Sequence, residues 1–201
     1  MKAIEELLSN AGISPIAGVD EAGRGPCAGP LVVAAVVLRD PNALELAEVR
    51  DSKELTEAKR EILYEVISTI AESVSVIIVS PHEIDERGVH AANLDGMRRA
   101  VKGLTVEPAY VLTDGYAIDG LGVASVAVWK GDQVVTAISA ASIIAKVTRD
   151  RIMVELDQQY PQYGFAQHKG YITAKHTAAL QQHGPCAEHR KSFSNIAALL
   201  K

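Results

Sequence analysis

Eight consecutive apolar residues, "LVVAAVVL" at 31–38, constrain this chain more than any other stretch. Val32, Val33, Val36 and Val37 are β-branched, and no polar position interrupts them. A run of that kind reads as a central strand covered on both faces, which requires helices above and below the sheet. The pattern predicts one strand over residues 16–20 and a second over 29–38, joined by a Gly/Pro-rich turn. Strands that close in sequence pair as a hairpin, so the sheet is expected to be mixed and not purely parallel.

The rest of the chain alternates in type. "TEAKREILYEVISTIA" predicts a helix with Ile62, Leu63, Val66, Ile67 and Ile70 on one stripe. "SVSVIIVS" predicts a strand ended by Pro81, and "HEIDERG" a short helical turn. "AANLDGMRRAVKGL" predicts a longer helix closed by Gly103. "AYVLTDGY" reads as a strand running into a turn, and "GVASVAVWKGD" as an extended segment ending at Asp132. A long helix is expected over roughly residues 137–159, with Ala141, Ala145, Thr148 and Ile152 on one face, small enough for close packing. "MKAIEELLSN" reads as a short amphipathic helix, and the tail as one or two helices separated by "HGPC". No repeat or linker divides the 201 residues, so a single α/β domain over 1–201 is expected. Within it, about 160–201 form a helical extension.

Carboxylates recur where strands end. Asp20 and Glu21 close the first strand ahead of a glycine turn. Asp114 stands in "TDG" and Asp132 in "WKGD", each beside a glycine. If these ends lie side by side, the acids repel and need a cation among them. A hard divalent ion with oxygen ligands is the natural partner.

Net charge is −5, but it is unevenly placed. Residues 1–128 hold 11 Lys+Arg against 20 Asp+Glu, a net of −9, while residues 129–201 hold 9 against 5, a net of +4. A polyanion lying along a basic face is compatible with that split. Cys27 and Cys186 offer no disulfide framework, and no apolar run is long enough to span a bilayer. A cytoplasmic protein with reduced thiols and no membrane partner is expected.

"GVDEAGRGPCAGPLVVAAVVL" resembles the opening motif of bacterial ribonuclease HII, the type 2 ribonuclease H family. "DSKELTEAKRE", "VLTDG", "KGD", "SAASIIAKVTRDR" and "HKGY" follow in that family's order, so the resemblance runs from about residue 15 to 195. It implies a ribonuclease H-like fold, a central mixed sheet flanked by helices with a helical C-terminal region. It implies that Asp20, Glu21, Asp114 and Asp132 are catalytic acids holding two divalent ions, Mg²⁺ or Mn²⁺, about 4 Å apart. Gly23, Arg24 and Gly25 match the turn that reads the ribose 2′-hydroxyl, the group that separates RNA from DNA. Tyr171 matches the tyrosine that packs on the sugar following a ribonucleotide. Lys53, Lys146 and Arg149 are expected as phosphate contacts, the last two on one helical face.

The implied activity is cleavage of the RNA strand of RNA–DNA hybrids, and of duplex DNA on the 5′ side of a single embedded ribonucleotide. The products would be a 3′-hydroxyl and a 5′-phosphate. Ser52, Asn93 and His168 receive no role. "HGPCAEH" lacks the second cysteine of a zinc-binding pair, and the family has a similar segment without structural zinc. "NIAALLK" lacks a glutamine-led aromatic tail, so docking to a sliding clamp is not expected, and a monomer is.

Overall fold

The computed structural model describes residues 3–200, so the first two residues of the expected N-terminal helix lie outside it. Among the described residues five strands form one sheet: β1 (Ile16–Ala22), β2 (Leu31–Leu38), β3 (Ala71–Val79), β4 (Tyr110–Asp114) and β5 (Ser125–Val128). Their order is β3-β2-β1-β4-β5. β1–β2 and β2–β3 pair antiparallel, while β1–β4 and β4–β5 pair parallel. The sheet is mixed, as the hairpin required.

The helices are α1 (Ala3–Asn10), α2 (Glu57–Ile70), α3 (Pro81–Arg87), α4 (Val89–Lys102), α5 (Gly131–Val134), α6 (Thr136–Gln159), α7 (Phe165–His168), α8 (Ala174–His183) and α9 (Ser194–Ala197). Local chemistry explains several boundaries. Thr56 and Ser80 cap α2 and α3 by accepting the N–H of Lys59 and Glu83. Pro81 opens α3, where its missing N–H costs nothing. The N-terminus of α6 has no cap of its own. Glu5 of α1 supplies one, accepting the N–H of Thr136 at 2.8 Å and of Ala137 at 3.0 Å.

The pleat of β2 divides the interior in two. Val32, Ala34, Val36 and Leu38 pack with α6 and α2 on one face. Leu31, Val33, Ala35 and Val37 pack with α4 on the other. That two-sided burial is why β2 carries no polar residue. The third cluster joins the C-terminal segment to the glycine turn: Cys27 and Ala28 pack with Met153, Phe165, Leu180 and Ile196.

Two expectations are corrected. Ile62 belongs to the apolar stripe of α2 by spacing, yet it is 58% exposed, and Leu63 and Ile67 bury instead. The extended segment toward Asp132 stops at Val128. Lys130 then turns left-handed (φ 53°), and Asp132 sits in the first turn of α5.

The start of α6 lies close on β1, where Gly18 has no side chain. A Cβ on Gly18 would lie 2.1 Å from the carbonyl carbon of Ala137 and 2.3 Å from the amide nitrogen of Ile138. Backbone cannot yield as a side chain does. Gly18→Ala is therefore expected to destabilise by at least about 2–3 kcal/mol, lowering the midpoint of thermal unfolding by roughly 4–12 °C at about 2–4 °C per kcal/mol. A midpoint within 1 °C of the parent would show that α6 can move off β1 freely.

Candidate active site

The register of the parallel pair places the first two acids. Val19 lies beside Thr113, so Asp20 and Asp114 are neighbours at the ends of β1 and β4. Both point to the α6 face. Alternation turns Glu21 to the opposite face, toward α4. Asp132 joins from α5, whose Gly131 N–H donates to Asp114 Oδ1 at 2.7 Å. One carboxylate oxygen from each of Asp20, Asp114 and Asp132 lies within 4.8 Å of the others. Among the described residues this is the only such group of three or more acidic, histidine or cysteine donors. Glu21 stands beside the trio and lines the same cleft.

Burial sets the electrostatics. It raises the pKa of Asp20 well above the ordinary carboxylate value, and the charges of Glu21 and Asp114 raise it further. Glu21 is pushed up to about 7, chiefly by burial; the Arg24 charge pulls it down, and the neighbouring Asn93 amide does so more weakly. The Asn93 side chain is fully buried and its amide group makes no hydrogen bond of good geometry, and neither does Glu21 Oε2. Asp114 is raised by burial and then by Asp132. Burial pulls Lys53 down, but its 2.9 Å contact with Asp132 outweighs this and its pKa ends raised.

The glycine turn and Tyr171 form the other walls of the cleft, with Ser52, Lys53, Ser142, Lys146 and Arg149. Tyr171 is half exposed, and a Cβ on Gly25 would sit 3.8 Å from its ring. Arg24 donates to the Tyr116 hydroxyl, lies 4.6 Å over that ring, and is 3.6 Å from Glu21.

Lys146 and Arg149, three apart on α6, stand in different surroundings. Lys146 lies on the cleft wall, paired with Asp150 at 2.6 Å. Arg149 is 1% exposed, and its guanidinium donates to the carbonyls of Pro30, Ala28 and Lys169 at 2.9, 3.1 and 3.0 Å. It is a strut beneath the turn and not a surface cation. A Cβ on Gly23, where φ is +97°, would strike its Nε at 2.1 Å.

"HGPCAEH" folds away from the acids. His189 is buried, its Nε2 3.0 Å from that of His176, while His176 Nδ1 lies 3.0 Å from the Tyr171 carbonyl. His168 stacks on His176 at 4.3 Å. Sequence reading overlooked Asp51, buried and holding Lys53, and Ser142, bonded to Ser52 at 2.8 Å. It also overlooked Trp129, 81% exposed on the groove beside Asp132. None carries a local motif; each is found by its neighbours.

A mixed sheet in this order, with acids converging at the ends of its parallel strands, defines a protein of the ribonuclease H-like fold. The family model for Ribonuclease HII matches residues 17–196. Ribonuclease HII of Acidothermus cellulolyticus is 58% identical over 96% of this chain, which spans 62% of that protein's length. Ribonuclease HII of Mycolicibacterium smegmatis is 56% identical over 98% of the chain, which spans 72% of its length. The crystal structure of ribonuclease H2 from Pyrococcus horikoshii is similar with a TM-score of 0.80 and 32% identity, covering 92% of this chain and 97% of that one. This chain belongs to the ribonuclease HII family.

The raised carboxylates make a stability prediction. Glu21 binds its proton more tightly folded than unfolded, so the folded state holds the excess protons between about pH 4.5 and 7. Stability of the metal-free protein should therefore fall as pH rises through that window. Asp20→Asn removes one repelling charge yet keeps the Oδ1 that accepts the Glu21 N–H at 2.7 Å. In a chelator at pH 7.5 it should raise stability by an amount on the order of 1–3 kcal/mol. Thermal unfolding from pH 4.5 to 8 checks both; a flat profile with an unshifted Asp20→Asn midpoint would overturn the electrostatic account.

Proposed function

We propose that this chain is an endonuclease that hydrolyses the RNA strand of RNA–DNA hybrids. It also cuts duplex DNA on the 5′ side of a single embedded ribonucleotide, leaving a 3′-hydroxyl and a 5′-phosphate, and so serves ribonucleotide removal from DNA. One observation carries the reading: Asp20 and Asp114, which meet Asp132 at their side, line a cleft whose remaining walls include the glycine turn and Tyr171. Carboxylates alone would suit many hydrolases. Their juxtaposition with a backbone-rich turn and a half-exposed aromatic ring favours a sugar–phosphate substrate.

The donor set fits hard divalent cations. It is all oxygen, and the burial and neighbouring negative charge that raise Asp20, Glu21 and Asp114 are what a positive ion would offset. Asp20, Glu21, Asp114 and Asp132 would hold two Mg²⁺ or Mn²⁺ ions. Bound there, such ions supply an activated water for in-line attack on phosphorus and stabilise the departing 3′ oxygen.

The chain's own groups do the rest. The turn of Gly23, Arg24 and Gly25 presents its backbone to the ribose. Tyr171 offers a ring face to the next sugar. Lys53 keeps its ammonium at the rim between Asp51 and Asp132, placed to meet a phosphate. Lys146 is a phosphate contact from the opposite wall; Arg149 supports the turn. No helix among the described residues is long and apolar enough to cross a membrane.

The direct test is a labelled DNA duplex holding one ribonucleotide, incubated with and without Mg²⁺ or Mn²⁺, with the cut mapped. Asp20→Asn should abolish cleavage while remaining folded. Tyr171→Ala should lower kcat/KM sharply on the single-ribonucleotide duplex and by a smaller factor on a continuous hybrid. Equal losses on both would remove the tyrosine from junction selection.

Lys146 is tested by salt. Lys146→Ala should reduce the slope of log K against log salt for duplex binding by about 0.9. An unchanged slope would return Lys146 to its Asp150 pair alone.

A further inference from the structure

The two largest fully buried side chains are both arginines, Arg149 and Arg190. Sequence reading passed over Arg190, and no catalytic step uses it. It follows the "HGPCAEH" segment, and its backbone N–H donates to the Cys27 carbonyl at 2.9 Å. Its guanidinium is spread across the far end of the same turn. Nη2 donates to the Gly23 carbonyl at 2.6 Å and to that of Gly29 at 2.9 Å. Nη1 donates to the Arg24 carbonyl at 3.0 Å, and Nε to Gly29 at 3.1 Å. Burying a guanidinium is costly, and burial with the nearby Arg149 charge lowers its pKa to about 9. A planar fork satisfying three carbonyls at once is what offsets that cost, and lysine cannot reproduce it.

The consequence follows from the planarity of the peptide. In a trans peptide the C=O of one residue and the N–H of the next point in opposite directions. With the Gly23 and Arg24 carbonyls drawn inward onto Arg190, the N–H groups of Arg24 and Gly25 are turned outward. Gly23, Arg24 and Gly25 line the cleft that holds Asp20 and Asp114. The segment after Arg190 is anchored independently. Asp85 of α3 accepts the N–H groups of Lys191 and Ser192 at 2.8 Å each, and the Ser192 hydroxyl at 2.6 Å.

We infer that Arg190 is a positioning residue for substrate recognition: by holding the Gly23 and Arg24 carbonyls from behind, it aims the Arg24 and Gly25 amides into the cleft as paired donors to an oxygen of the ribonucleotide. The C-terminal segment thus acts in recognition through a residue that never touches substrate. The inference rests on the proposed function for the identity of that oxygen, but not for the aiming itself.

Arg190→Lys is the informative variant, since it keeps the charge and loses the fork. Four measurements are made on the full chain: kcat/KM on a duplex with one ribonucleotide, Kd for the same duplex in all-DNA form, Kd for Mn²⁺, and the ¹H–¹⁵N shifts of the Arg24 and Gly25 amides. The expected result is a loss of tenfold or more in kcat/KM, both Kd values within twofold of the parent, and shifted amides at 24 and 25. Parent-like kcat/KM would overturn the inference, because charge alone then suffices. Parallel loss of all three functional quantities would overturn it too, since that is the signature of a purely structural residue. If Arg190→Lys does not fold, Arg190→Gln, which retains a planar donor for one carbonyl, is measured in the same way. A parent enzyme that does not cut the ribonucleotide duplex would instead defeat the proposed function. The amide shifts then still decide the aiming: unshifted amides in the variant reject it.

Discussion

Parallel pairing of β1 with β4 is the constraint on which the site depends. Because Val19 stands beside Thr113, the residues that follow, Asp20 and Asp114, are forced side by side on one face of the sheet. Hydrogen bonds between strands fix that separation, so the two carboxylates cannot move apart to relieve their repulsion. Asp132 is brought in by the turn after β5, and its geometry is locked to Asp114 through the Gly131 N–H. The rest of the fold serves this convergence. α6 lies close on β1 because Gly18 has no side chain, and it brings Ser142 to the floor of the cleft.

The site is stabilised by its surroundings and not by itself. Asp20 and Asp132 are buried with like charges nearby, an arrangement that costs stability. The two apolar layers on either face of β2 offset it. Repulsion of this kind is the cost of a strong cation site, since the energy withheld in the free protein is returned when the charge is neutralised.

Behind the glycine turn the logic is reversed. Arg149 and Arg190 place two positive charges in the interior, and all six carbonyls they bind belong to the turn or to Lys169 of the tyrosine loop. Acids in front and guanidiniums behind leave the thin backbone of 23–25 between opposite charges. That arrangement braces the turn from behind although it is rich in glycine, which suits the proposed reading of a hydroxyl by backbone groups.

The sequence by itself determined the elements and the chemistry. The unbroken apolar run of β2 required a two-sided core, the hairpin spacing required a mixed sheet, and acids beside glycines at strand ends marked the cleft. These signals are legible because they are local: period, branching and turn residues act over a few positions. Only the tertiary structure decided which charges face substrate. Lys146 and Arg149 share a helical face by spacing and both border the cleft, yet Lys146 is partly exposed and paired with Asp150 while Arg149 is buried against the carbonyls of the turn. Glu5 stands in a segment that reads only as a short amphipathic helix, and it caps α6 across 131 positions. Arg190 reads as one more basic residue of a basic tail. A side chain's periodicity reports its own helix or strand, whereas its burial and partners depend on segments distant in sequence, and these long-range contacts leave no local trace.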